Sequence, residues 1–101
     1  MRVSVIKSDN AVYVDGIPMG VDCSWLPADF WALQWEGSKD GTEGEGEIEY
    51  SGRPKPENKA ITELGEYMKL VEAWQVSYDA HLKALAEERA RNEALAAAPQ
   101  E

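Results

Sequence analysis

From Ile61 to Ala98 the chain has no proline, and its apolar residues recur at helical spacing. Ile61, Leu64, Met68, Val71, Tyr78, Leu82 and Leu85 follow one another at alternating steps of three and four, interrupted only at Gln75. Such steps place successive side chains on one face of an α-helix, and sustained they form a heptad-like seam. Tyr67, Trp74 and His81 recur every seven residues beside it. Asp79 with Lys83, and Glu87 with Arg91, stand at the i,i+4 spacing that supports a helix. A helix over 61–97 is about 55 Å long at ~1.5 Å per residue. A globule built from the rest of the chain is only about 25 Å across by size scaling. The head therefore covers about half of the helix. The first half carries the large side chains and is expected to dock. The seam through Tyr78, Leu82 and Leu85 is expected to meet another chain, a second copy or a partner. Past Leu85 it fades into Arg89, Asn92 and Ala96, and residues 86–98 read as a solvated Ala/Glu/Arg-rich helix that frays. Gly65 and Ser77 are weak points, and Pro99 is expected to end the helix.

The first fifty residues follow a different period. Val3 and Val5 alternate with Arg2, Ser4 and Ile6, as in a half-buried strand. Ser8-Asp9-Asn10 signals a turn, and Ala11 to Val14 a second strand. Asp15-Gly16 is a strong hairpin dipeptide, since a type I′ turn needs positive φ at both central residues. Ile17 to Trp25 reads as a returning, irregular strand, interrupted by Pro18 and Gly20. Pro27 to Phe30 reads as a helical turn. Trp31, Leu33 and Trp35 alternate with Ala32 and Gln34, which predicts a strand with its aromatics in the core. After a Gly-rich acidic loop, Glu45, Glu47 and Glu49 fall on one face of a further strand, with Gly46, Ile48 and Tyr50 on the other. Residues 51–60 hold Pro54 and Pro56 and read as a stiff linker. The expected fold is α+β: an antiparallel β-meander head of four or five strands over 1–50, a proline-containing linker over 51–60, and one long amphipathic helix over 61–98.

Charge narrows the partners. The 19 acids and 10 bases give a formal charge of −9, which opposes binding to a phosphate backbone or an anionic membrane. It favours steering toward basic partners. No apolar run approaches the ~20 residues of a membrane-spanning helix. The stretch Met1 to Lys7 is too short and polar for a signal peptide. Cys23 is the lone cysteine, so no intrachain disulfide is expected, and the protein is expected to be made and used in a cytoplasm or in something assembled there.

Residues suited to chemistry do not form a constellation. The loop from Asp40 to Glu47 is acidic but lacks the spacing of a calcium loop, so no metal or other cofactor is expected. His81 has no nearby ligand or nucleophile in sequence and reads as a helix-flank residue. No basic neighbour lowers the pKa of Cys23, so a buried, inert thiol is expected. The glycines at 37, 41, 44 and 46 are interleaved with acids that repel phosphate. The expectation is a protein that is not an enzyme. Its candidate interaction residues are Trp25, Trp31 and Trp35 in the head and Trp74, Tyr78, Leu82 and Leu85 in the helix. A head this small has room for one or two buried indoles, so at least one is expected at a surface that meets a partner.

Four segments carry a resemblance: Asn10 to Gly16, Val21 to Ala28, Ala32 to Gly37 and Gly46 to Tyr50. In this order, followed by a polar linker and a Trp-containing helix, they resemble small proteins of tailed bacteriophages and prophages encoded among tail and tail-fibre genes. The resemblance covers residues 10–75 and carries no catalytic signature. It implies a minor virion component at the tail or tail fibre, bound to a larger tail or fibre protein, located in the virion or in the host cytoplasm during assembly. The close alternative is a tail-fibre assembly chaperone. A third reading, taken from the charge alone, is an acidic nucleic-acid mimic that presents Glu43, Glu45, Glu47 and Glu49 to a basic host enzyme.

Overall fold

The structure is a computed structural model that describes residues 1–97. The expected architecture is present: an antiparallel sheet followed by one long C-terminal helix. The strands are β1 (Arg2–Ile6), β2 (Ala11–Val14), β3 (Ile17–Gly20), β4 (Phe30–Gly37), β5 (Gly44–Tyr50) and β6 (Lys59–Ile61), and the helix α1 spans Met68–Ala97. They pair in the order β3-β2-β1-β4-β5-β6. Two three-stranded meanders are thus joined where β1 meets β4, with Val3 opposite Trp35 and Val5 opposite Leu33. Residues 21–29 carry the chain from the β3 edge back across one end of the sheet to β4.

Local chemistry sets these elements. Asp15 and Gly16 have φ of 50° and 83°, the twofold positive φ of a type I′ hairpin. The Asp15 carboxylate also accepts from the Arg2 backbone N–H at 2.9 Å. Asn10 sits at φ 46° and holds the crossing segment twice: its carbonyl accepts from Val21 N–H, and its side-chain oxygen from Cys23 N–H. Leu33 opposes Ile48 and Trp35 opposes Gly46 across β4 and β5, the hairpin that the flanking apolar residues announce. The β5 glutamates all face solvent.

One aromatic departs from the expected pattern. Leu33 and Trp35 are buried, but Trp31 is 52% exposed. The register between β4 and β5 slips at this point: Phe30 opposes Tyr50 while Ala32 opposes Glu49. The extra residue is a β-bulge, which reverses the alternation and puts Phe30 in the core instead of Trp31.

The helix also starts later than its seam suggests. Ile61 belongs to β6, opposite Gly46, so the last linker residues Lys59 and Ala60 are strand as well. Gly65 at φ +54° opens a 3₁₀ turn (Gly65–Tyr67) that leads into α1. Ile61 and Leu64 still pack on the core, Leu64 fully buried. The expected helix end at Ala98 and the stop at Pro99 lie outside the described residues.

One face of the sheet is covered. Val3, Val5, Val12, Val14, Leu33, Trp35 and Ile48 meet Leu70, Val71 and Trp74 of α1 in a single core. Burying a large apolar side chain contributes about 1.5–3 kcal/mol, so these three helical residues fix the first turns of α1. The helix passes over β2 and β3. From Asp79 to Ala97 every residue is exposed, about 28 Å of helix beyond the head. The molecule accordingly measures 71 × 29 × 18 Å, with a radius of gyration of 18.4 Å, against about 13 Å for a compact chain of this length.

Candidate functional site

Two apolar surfaces stay open. The first lies where the helix begins. Trp25 is 42% exposed, and its ring stacks on Tyr67 at 6.5 Å between centroids. Phe30 meets the same tyrosine at 5.9 Å. The Lys69 ammonium stands 5.6 Å from the Trp25 ring centre, in cation–π contact. Burial raises the Tyr67 hydroxyl pKa, with Glu66 and Tyr50 adding to the effect. Trp31 lies at the start of β4, projected outward by the bulge.

The second surface begins where the helix leaves the sheet. Trp74 is buried, stacks on Tyr78 at 4.8 Å, and donates its indole N–H to the Ile17 carbonyl at 2.7 Å. Beside this pair a groove is lined by Met1, Val14, Ile17, Val71 and Tyr78, with Asp15, Lys39 and Gln75 at its margins. Tyr78 is half-buried, whereas Leu82 and Leu85 are close to half exposed on the free helix. Leu82 and Leu85 continue the seam of Val71 and Tyr78, so the groove and the free apolar stripe are one continuous surface.

The seven residues singled out by sequence therefore divide. Trp25 and Trp31 are open on the head, Tyr78, Leu82 and Leu85 share the helix stripe, and Trp74 anchors that stripe from inside. Trp35 is not at a surface: it is 2% exposed, lies against Gly44 and Gly46, and donates its indole N–H to the Thr62 carbonyl at 3.2 Å. Phe30, Lys69 and Ile17 carry no signal of their own in the sequence, and Tyr67 shows only its seven-residue spacing from Trp74 and His81. Each enters through pairing or packing with a distant segment.

The remaining polar features are structural in character. Asp40 accepts from Ser38 Oγ, Thr42 Oγ1 and the Thr42 N–H, which lowers its carboxyl pKa to about 2. The Gly41 carbonyl accepts from Leu64 N–H, tying this loop to the start of the helical region. Asp22 is lowered by hydrogen bonds from Ser24. Cys23 is buried and its Sγ donates to the Val21 carbonyl. Burial, then the Asp22 charge, raises its thiol pKa. His81 stands exposed on the free helix. Among the exposed glutamates, Glu36 and Glu49 have cationic neighbours, Arg2 at 3.9 Å and Lys55 at 3.3 Å. Asp79 accepts from Gln75 Nε2 at 2.9 Å, and neither Asp79–Lys83 nor Glu87–Arg91 closes to an ion pair.

Compared with protein-family models, with curated proteins and with solved structures, the chain matches none of them.

Proposed function

We propose that this protein is a non-enzymatic component of a phage tail or tail fibre that works by protein–protein contact. The observation that carries the reading is the placement of its indoles. Trp35 and Trp74 complete the core with hydrogen-bonded N–H groups, while Trp25 and Trp31 stay 42% and 52% exposed on the head. Exposed Trp, here Trp25 stacked on Tyr67, is the residue type in which interface anchors are enriched. The segments that resemble phage tail proteins supply the Asp15-Gly16 hairpin, the crossing segment and the β4–β5 pair, so the resemblance lies in the framework that displays those indoles. The residues best suited to proton transfer or nucleophilic attack stand apart, with Cys23 inside the head and His81 on the projecting helix.

Mass spectrometry of particles produced from the encoding genome tests the reading. A fixed copy number relative to the major tail protein is expected. Presence in the lysate with absence from particles would replace it with the assembly-chaperone or the acidic-inhibitor reading. In the particle assay, Trp25→Ala with Trp31→Ala should lower incorporation while leaving the isolated protein folded.

A further inference from the structure

The sheet is covered on one face only. The helix lies over the face that carries Val3, Val5, Leu33 and Trp35, and no helix or strand lies over the opposite face among the described residues. Strand alternation and register fix what the open face displays. Tyr13 of β2 stands opposite Ser4 of β1, which stands opposite Gln34 of β4; in the next row Ala11 stands opposite Ile6, and Ile6 opposite Ala32. Ala32 is buried, and Ile6, Ala11 and Tyr13 are half-buried. Trp31 is turned outward beside Ala32 by the bulge. The next strand changes the chemistry. Glu45, Glu47 and Glu49 of β5 share this face, with Glu47 opposite Gln34, Glu49 opposite Ala32, and Glu45 opposite Glu36. Arg2 approaches Glu36 at 3.9 Å and Lys55 approaches Glu49 at 3.3 Å, while Glu45 and Glu47 have no cation at ion-pair distance among the described residues. Two shallow grooves on this face share Arg2 and Gln34. One reaches Ile6 and Tyr13, the other Glu45, Glu47 and Ala60.

The two halves of this face select one kind of occupant. A sheet face is ordinarily closed by a helix that lays its apolar side on it. From β2 to β4 is about 10 Å at ~4.8 Å per strand, the width of one helix. A helix laid along β1 sets its apolar side on Tyr13, Ile6 and Ala32 and brings one flank over β5, where the glutamates follow at intervals of about 7 Å. That flank must be basic, since Glu45 and Glu47 would otherwise lose water without gaining a counter-charge. We propose that the open sheet face docks an amphipathic helix of a partner protein, with Lys or Arg along the flank that meets Glu45 and Glu47. The chain does not supply this helix itself. Leu70, Val71 and Trp74 hold α1 on the other face, and its free part sets Asp79, Glu87, Glu88 and Glu93 against only Lys83, Arg89 and Arg91. The inference deepens the contact reading by naming the partner's chemistry, and rests on it only in taking protein contact as the function. Its test uses no phage particle, so either can fail alone.

The probe is a synthetic Leu/Lys amphipathic helix of about 18 residues, which at ~1.5 Å per residue runs the length of β4. Titrated into the isotopically labelled full chain, it should shift the NMR amide signals of Ser4, Tyr13, Gln34 and Glu47. A Leu/Glu peptide of the same pattern should shift none of them. Glu45→Gln with Glu47→Gln should weaken binding about fivefold, the scale of two exposed ion pairs. Trp31→Ala should weaken it about tenfold, the scale of an interface anchor. Glu87→Gln with Glu88→Gln removes the same charge from the free helix and should change the affinity by less than about twofold, since distant charges are screened. Equal weakening by the two glutamine pairs overturns the proposal, because general attraction to an acidic chain then explains the binding. So do shifts centred on Trp25 and Tyr67 or on the free helix, and so does a lack of binding at millimolar peptide. The shift map is taken on the native chain, so it decides the matter should a variant fail to fold.

Discussion

The indole N–H of Trp74 donates to the backbone carbonyl of Ile17 at 2.7 Å, joining the helix to the outermost residue-run of the sheet across 57 positions of sequence. Ile17 follows the β2–β3 turn and Trp74 is the last fully buried residue of α1, so this bond marks where the helix stops being core. Trp74→Phe removes the donor while retaining one aromatic ring in the core, whereas Trp74→Ala removes both rings. We expect a loss of about 1 kcal/mol, against about 3–5 kcal/mol for Trp74→Ala, read from the urea midpoint. Equal losses for the two would show that the hydrogen bond, and not the packing, holds the helix down.

The two β4 tryptophans should respond in opposite ways. Trp35→Ala empties the core beside Gly44 and Gly46, and about 3–5 kcal/mol should be lost. Trp31→Ala changes an exposed side chain, and stability should stay within about 0.5 kcal/mol. Thermal denaturation of both variants checks this. A large loss for Trp31→Ala would contradict the bulge that turns it outward.

Two glycines are needed for different reasons. A methyl group at Gly16 meets nothing within 4 Å, so the cost of Gly16→Ala is the positive φ of 83° alone, roughly 1–2 kcal/mol. A methyl at Gly46 collides with the Gln34 carbonyl oxygen and comes 2.8 Å from Trp35 Cβ, both on the paired strand. Gly46→Ala should therefore cost at least the ~1–3 kcal/mol typical of overpacking. Denaturant midpoints should rank Gly46→Ala below Gly16→Ala.

The Asp40 carboxyl should titrate at about 2 instead of its ordinary 3.8, because Ser38 and Thr42 donate to its charged form. A folded value below the unfolded one means that the stabilisation is complete above the unfolded value and disappears as the pH falls through the folded one. The loop from Ser38 to Glu43 should thus stay closed down to about pH 3 and open near pH 2. The carboxyl carbon shift of Asp40, followed by NMR, measures this directly. A midpoint close to 4 would mean that the three donors do not hold it in solution.

Cys23 should be slow to react. Its thiol is fully buried and its pKa is raised, so the thiolate is both scarce and shielded at neutral pH. Alkylation should proceed at the rate of global unfolding and accelerate sharply in urea. Fast alkylation of the native protein would show that the segment from Val21 to Leu26 opens by itself.

Much of this architecture was legible in local pattern. The Asp15-Gly16 turn, the alternation in β1 and β5 and the helical spacing after Met68 each follow from neighbours within a few residues. The strand order was not, because the return of residues 21–29 across the sheet depends on where β4 finds a partner. The bulge at Trp31 was hidden for the same reason: it exists only in the register against Tyr50 and Glu49. Ile61 and Leu64 kept helical spacing yet belong to a strand and a turn, since both positions face the core in either conformation. Of the candidate interaction residues, Leu82 and Leu85 could be read from the excess of helix over head. Trp25, Trp31 and Trp35 were equally candidates, and which of them stays open could not be read, since it follows from the bulge in β4 and from how Tyr67 and Lys69 arrive beside Trp25.

The free length of α1 has a hydrodynamic consequence. A particle 71 Å long and only 18 Å thick experiences more drag than a sphere of equal volume, so it diffuses slowly for its size. On a gel-filtration column calibrated with compact standards, even a solitary chain would elute early and masquerade as a larger species. Elution volume is therefore blind to the difference between an elongated single chain and a pair, and light scattering or sedimentation equilibrium must supply the mass.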